Sequence, residues 1–251
     1  MTTAIKKGLL FLHGRDQAKK TSDLRNHLLQ HQFFFALKRA FDFLVSSLLI
    51  IFIFSWLFPL MALLIKLDSS GPIFFIQKRA GFLGRPFMCL KFRTMYANNL
   101  SDEMQATHND PRITRLGKIM RLTSLDELPQ FFNVWLGQMS IVGPRPHMYK
   151  DNENFSQLVT NYRLRSLVKP GITGMAQVKG YRGPAKDFYQ VFHRYQFDAF
   201  YFRNMGFSLD MKIVRLTAIQ MLRSLAAIKW QSDSAPREMT QFVFPKTASS
   251  K

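Results

Sequence analysis

Phe43 to Ile65 is a run of 23 residues without a single charged side chain, rich in Leu, Ile and Phe. A stretch of that length and composition is long enough to cross a bilayer, and it cannot be left in water. Basic residues flank it on both sides. Lys38 and Arg39 precede it; Lys66, Lys78, Arg79, Arg85, Lys91 and Arg93 follow. The positive-inside rule draws both flanks toward the cytoplasm, which a single crossing cannot satisfy. Pro59 lies inside the run and breaks or kinks a helix there, and Ser55, one turn earlier, can hydrogen-bond a freed carbonyl. The reading is a helix-break-helix that dips into one leaflet and returns, with Ser55 and Pro59 at the break. The alternatives are a kinked spanning helix with a short N-terminal tail outside, and a buried core helix. His27 to Phe41 and Ile213 to Trp230 mix apolar and basic residues, as interfacial helices do; such helices also pack on a core.

The rest of the chain holds a second constraint. From Pro111 to Lys150 the only acids are the adjacent Asp126 and Glu127, within Ser124-Leu125-Asp126-Glu127-Leu128-Pro129. The bases of the same stretch are Arg112, Arg115, Lys118, Arg121, Arg145 and Lys150. Carboxylates isolated among arginines suit chemistry on a phosphate ester: the acids hold a divalent metal or attack phosphorus, and the arginines neutralise phosphate oxygens. The competing reading is structural. Ser124 and Glu127 have capping-box spacing, and a helix over 125–136 would carry Leu125, Leu128, Phe132 and Leu136 on one stripe. Pro129 is awkward for that helix unless it starts later, with Asp126 as the cap.

Composition bounds the partners. The 251 residues carry 35 Lys+Arg against 16 Asp+Glu, a formal charge of +19, which calls for an anionic partner. Length and 47% apolar content fit one domain with a real core. The single Cys89 excludes an internal disulfide and a multi-cysteine metal site. Neither a P-loop nor a Rossmann glycine pattern is present.

Ile73 to Lys78 and Phe87 to Phe92 read as a hairpin around Gly81, Gly84 and Pro86. Asn98 to Asp110 reads as a loop. Arg115 to Arg121 fits a helix with Arg115, Lys118 and Arg121 on one face and Leu116, Ile119 and Met120 on the other. Met139 to Val142 reads as a short strand entering Gly143-Pro144-Arg145-Pro146, whose prolines stiffen the backbone around Arg145. Val168 to Gly174 is another rigid turn. The fold class expected is α/β: a small membrane-associated domain with a re-entrant hairpin, interfacial helices and a small sheet. Its parts are an amphipathic extension (1–35), the membrane hairpin (36–66), a catalytic domain (67–230) and a flexible tail (231–251).

These motifs in this order resemble the monotopic bacterial sugar transferases, the polyprenyl-phosphate phosphoglycosyl transferases. The landmarks are Lys38-Arg39, Phe41-Asp42, the apolar segment, and Ile65 to Ser69 running to Gly71-Pro72. Lys91 to Met95, Asp110-Pro111-Arg112, Thr123 to Pro129, Val142 to Pro146, Lys169 to Gly174 and Leu209 to Ile213 follow. Roughly residues 36 to 225 are covered, and from Arg145 to Gly183 the details look most like the branch handling glucose 1-phosphate or a related hexose 1-phosphate. The resemblance implies a UDP-sugar donor and undecaprenyl phosphate as acceptor. Asp126 would be the nucleophile, Glu127 with Asp126 would hold Mg2+, and Arg121, Arg145 and Arg182 would bind phosphate, with Arg112, Lys91 and Arg93 nearby. It implies the cytoplasmic face of a bacterial inner membrane, contact with membrane lipids and no nucleic acid, and is compatible with a homo-oligomer. The family usually has Ser and Pro adjacent at the break; here Trp56 follows Ser55 and the proline is displaced to Pro59. Longer members carry additional N-terminal transmembrane helices, so a minimal catalytic form is expected. The competing hypotheses are a membrane-tethered basic protein that binds nucleic acid or anionic lipid without catalysis, and a phosphatase or nucleotide hydrolase in which water replaces the lipid acceptor.

Overall fold

A computed structural model describes residues 24, 26–97, 110–183 and 187–231. The termini read as an extension and a tail therefore fall largely outside the described residues, as does most of the loop after Asn98.

The apolar segment is helical throughout. Helix α1 (Gln32–Leu49) passes through a π-helical stretch, Ile50–Phe54, into α2 (Ser55–Asp68), with Pro59 inside α2. Proline lacks the N–H that would bond four residues back, and a π turn is one way a helix absorbs such a fault. Trp56 Nε1 donates to the Phe52 carbonyl at 3.0 Å, so a side chain serves backbone within the irregular stretch. Over its most apolar window, mean hydropathy 2.8, only 17% is buried, which rejects the buried core helix. Phe43, Leu44, Leu48, Ile51, Phe52, Trp56, Leu63 and Leu67 face outward.

Both arms of the helix are tied to the rest of the protein. On α1, Arg39 donates to the carbonyls of Val134 at 2.7 Å and Trp135 at 2.8 Å, and Asp42 accepts the Ile141 amide at 3.0 Å. On α2, Phe58 lies edge-on to Phe92 at 4.8 Å between ring centroids, and Met61 and Ile65 pack with Phe92 and Met120. Asp68 accepts the Leu116 amide at 3.3 Å.

Three of the four strands match the sequence expectation, and the fourth lies within the segment expected to be a turn, Val168 to Gly174. Strands β1 (Phe74–Ala80) and β2 (Pro86–Phe92) form an antiparallel hairpin, Phe74 opposite Phe92. Strand β3 (Ser140–Val142) pairs in parallel with β4 (Gly171–Thr173). The remaining helices are α3 (Arg115–Thr123), α4 (Gln130–Trp135), α5 (Tyr149–Leu158), α6 (Met175–Val178), α7 (Phe188–Asn204) and α8 (Phe207–Gln231). The main core gathers Leu28, Cys89, Val134, Met139, Val142, Tyr201, Phe202 and Ile213. Leu28 and Ile213 show that both segments read as interfacial also pack inward.

Two further expectations need correction. The single helix over 125–136 does not form: a 3-10 turn at Leu125–Glu127 is separated from α4 by Leu128-Pro129, because Pro129 cannot donate within a helix. On α3, Met120 is fully buried but Ile119 is exposed, so the apolar face is narrower than its periodicity implied.

Helix α3 sits unusually close to the segment after β2. A Cβ at Gly117 would lie 2.1 Å from the Thr94 carbonyl oxygen. Alanine normally favours a helix over glycine by about 1 kcal/mol. Here Gly117→Ala is expected to lower the thermal midpoint instead, by the equivalent of about 1–3 kcal/mol as in other overpacked sites. Thermal unfolding in detergent checks this; an unchanged or raised midpoint would contradict the close approach.

Candidate active site

The Asp-Glu pair sits in the 3-10 turn that follows α3. Ser124 adopts the left-handed conformation (φ 63°), ends α3 and swings the chain so that Asp126 and Glu127 turn inward. Neither capping reading survives, because Ser124 makes no side-chain cap and Pro129, at the start of α4, has none to give. The acids are free for other partners.

Glu127 takes three cations from three separate segments. Lys91 of β2 donates to Oε1 at 2.7 Å. Arg145 grips both oxygens, at 2.6 Å and 3.2 Å, and Arg182 reaches Oε2 at 3.0 Å. Burial penalises the Glu127 charge most, yet Arg145, Lys91 and Arg182 overcome that penalty and hold its carboxyl well below the ordinary range. Asp126 is treated differently. It is buried, and among the described residues it forms no ion pair within 4 Å. Burial, then the neighbouring Glu127 charge, pushes its carboxyl up, against the pull of Lys91, Arg121 and Arg182. One carboxylate is a fixed anchor and its neighbour is not spent on a partner.

The other candidates divide. Arg121 donates through Nε to Thr94 Oγ1 at 2.8 Å and lies in the field of Asp126. Arg182 is the most exposed of the Glu127 partners, its side chain 42% accessible. Arg112 is held by Asp110, at 2.9 Å and 2.7 Å. Arg93 is buried and donates to the Ser69 carbonyl at 2.6 Å and to the Ser70 carbonyl, locking the chain beyond α2. The structure thus brings Lys91, Arg121, Arg145 and Arg182 to the acids, while the guanidinium groups of Arg112 and Arg93 are engaged elsewhere. Among the described residues there is no cluster of three or more acidic, His or Cys groups fit to cage a metal. Two adjacent carboxylates do suit magnesium, which takes one or two from protein and completes its shell with phosphate oxygens and water.

Sequence reasoning missed the groups that hold Arg145 in place. Arg165 donates to the Arg145 carbonyl at 2.6 Å, and Arg79 to the Pro146 carbonyl at 2.6 Å. Asp198 of α7 orients Arg165 through Nε at 2.9 Å. His147 Nδ1 receives Arg165 Nη1 at 3.0 Å and lies 2.7 Å from the Tyr162 hydroxyl. In the sequence the members of this network are scattered, Tyr162 and Arg165, three apart, being the nearest of them.

The family model described as bacterial sugar transferase matches residues 33–224. The chain belongs to the bacterial sugar transferase family. Among relatives of this sugar transferase, a UDP-glucose:undecaprenyl-phosphate glucose-1-phosphate transferase of Klebsiella pneumoniae is 47% identical over 184 residues, 73% of this chain and 39% of that protein. The protein of the same name in Escherichia coli (strain K12) is 46% identical over 192 residues, 76% of this chain and 41% of the relative. The exopolysaccharide production protein PSS of Rhizobium leguminosarum bv. phaseoli is 42% identical over 191 residues, 74% of this chain and 95% of that protein. The sugar transferase therefore aligns with about two fifths of the first two relatives and nearly all of the third.

Burial, followed by Arg165 and Arg194, depresses the His147 pKa well below its ordinary 6.5. The unfolded chain thus binds a proton that the folded one refuses, so stability is expected to fall as pH drops from about 6.5 toward the folded value. Chemical denaturation across that window checks this. The slope should flatten in His147→Gln, and an equal slope in the variant would contradict the assignment.

Proposed function

We propose that this protein transfers a hexose 1-phosphate, glucose 1-phosphate in the first instance, from a UDP-sugar to undecaprenyl phosphate, as the first membrane step of a surface glycan pathway. The observation that carries the reading is the division of labour between the two acids: Glu127 neutralised by three cations, Asp126 beside it without one. The names of the relatives supply the donor and acceptor.

Asp126 is the nucleophile. Its carboxylate oxygen forms a bond to the sugar-bearing phosphorus, the bond from that phosphorus to the bridging oxygen breaks, and UMP leaves with the electron pair. A phosphoryl oxygen of undecaprenyl phosphate then attacks the same phosphorus and returns Asp126 as a carboxylate. Phosphoryl transfer asks mainly for alignment and charge neutralisation, which Arg121, Arg145, Lys91 and Arg182 provide around the acids. Magnesium, held by Asp126 and Glu127, would supply further neutralisation of the donor diphosphate. Arg182, the exposed partner, is the cation most free to move from Glu127 to incoming phosphate.

The membrane reading is a re-entrant hairpin on the cytoplasmic face of the bacterial inner membrane. Both arms of one long helix engage the same body, through Arg39 and Asp42 on α1 and through Met61, Ile65 and Asp68 on α2. A membrane crossing would carry one arm to the opposite side. Exposed Ile119 and Leu122 on α3, and Trp135 and Leu136 at the end of α4, extend the apolar surface beyond the helix.

UMP release from UDP-glucose by the detergent-purified protein, with Mg2+ and undecaprenyl phosphate, tests the reaction. Asp126→Asn is expected to abolish turnover, and an active Asp126→Asn enzyme would remove Asp126 as nucleophile. Arg145→Ala should cost about 2–3 kcal/mol in kcat/KM, the scale of a lost charged phosphate contact. The topology is read separately. Ala40→Cys and Lys66→Cys, both at exposed positions, should react with a membrane-impermeant maleimide from the cytoplasmic side alone, with buried Cys89 as a silent background. Labelling of the two from opposite sides would establish a spanning helix.

A further inference from the structure

Away from the acids lies a second concave feature. A cavity of about 460 Å³ opens between α1, the hairpin turn and the segment before β4. Its walls are mostly carbon, from Leu28, Phe35, Leu83 and Leu167 among others. Neither Asp126 nor Glu127 lines it, nor does any of the Glu127 cations. Lys38, Arg39 and Lys169 supply positive charge, and Asp42 is the one acid in the wall.

The charges do not cancel. Lys38 is paired with Asp210, and Asp42 is engaged by the Ile141 amide. Among the described residues neither Arg39, whose partners are the carbonyls of the last turn of α4 and the Phe43 ring, nor Lys169 has an ion pair within 4 Å. The two cationic tips converge: a Cβ at Gly137 would lie 3.4 Å from Arg39 Nη2 and 3.6 Å from Lys169 Nζ. Counting Lys38, Arg39 and Lys169 against Asp42 and Asp210, three positive and two negative groups leave one positive charge. Like charges drawn together beside an apolar cavity invite a single anion with a hydrocarbon tail. The cavity also borders the start of the long apolar helix, whose Phe33, Leu37 and Leu44 are exposed.

We propose that this cavity binds one anionic membrane phospholipid, an acyl chain filling it and the phosphodiester seated between Arg39 and Lys169. A phosphodiester carries one negative charge, matching the single uncompensated positive charge of the site. The lipid would fix the start of α1 against the 165–170 segment at the membrane surface. This inference rests on reading the long helix as membrane-seated.

The test uses the full chain reconstituted into vesicles of phosphatidylcholine, or of equimolar phosphatidylcholine and phosphatidylglycerol, then extracted into mild detergent for native mass spectrometry. One phosphatidylglycerol should stay bound, in preference to phosphatidylcholine. Lys169→Gln should weaken retention about tenfold, as expected for one charged contact. Ala36→Trp, which puts bulk at the cavity mouth, should abolish it. If Ala36→Trp does not fold, the lipid preference and Lys169→Gln decide alone. Equal retention of both lipids, retention unaffected by Lys169→Gln, or preferred retention of undecaprenyl phosphate when it is added, would each overturn the proposal. Flotation with phosphatidylcholine vesicles reads the membrane seating separately: a protein that floats but holds no phosphatidylglycerol keeps the seating and loses the site.

Discussion

Everything in the catalytic half of the molecule converges on the Glu127 carboxylate. Three cations reach it from β2, from the Pro144-Arg145-Pro146 turn and from the segment before α7. A buried carboxylate alone would be forced toward its neutral form; with Lys91, Arg145 and Arg182 around it, the charged form wins decisively. Removing any one of them leaves both a weakened anchor and an unbalanced cluster. The same charge acts on Asp126 next door, which burial and Glu127 together disfavour as an anion. Adjacent acids with opposite shifts are the pattern expected where one group is structural and its neighbour does chemistry.

Behind this cluster stands a layer that touches no acid of the pair. Arg165 and Arg79 hold the carbonyls of Arg145 and Pro146, and Asp198 aims Arg165. The strand pair ahead of that turn is equally tight: a Cβ at Gly171 would lie 2.1 Å from the Gly143 nitrogen. Proline rigidity, backbone interlock and two arginine clamps therefore fix one guanidinium. Such support limits how far the Arg145 guanidinium can drift from its place beside Glu127.

Legibility in the sequence tracked the range of the forces involved. The helical character of the apolar segment, the hairpin and the strand before Gly143 were readable because periodicity, length and turn residues are local signals, whereas the helix break expected at Ser55 and Pro59 is a π-helical stretch just ahead of them. Asp126 and Glu127 stood out through isolation among bases, with Arg121, Arg145, Lys91 and Arg182 following from family motifs. Capping-box spacing at Ser124 misled, because a left-handed residue there turns the pair inward and the spacing rule cannot see φ. Arg112 carries the right chemistry but is taken locally by Asp110, two residues before it, and Arg93 is taken by Ser69 and Ser70, partners that only tertiary structure selects. The His147, Tyr162, Arg165 and Asp198 network was invisible for the same reason: its members are separated by up to 51 positions, and buried charge pairs leave no periodic trace.

The bond from the Ile141 amide to Asp42 has a consequence for how the molecule assembles. Strand β3 pairs with β4 on one side only, so its other edge presents an open donor of the kind that recruits stray strands. The carboxylate of Asp42 closes that edge, and it arrives on the long apolar helix. Until α1 docks, the catalytic sheet has a sticky margin; once it docks, the margin is sealed. Docking of α1 and protection against aggregation are thus one event, and a chain whose α1 is kept from its place would be at risk at β3 before it lost any residue of the acid cluster.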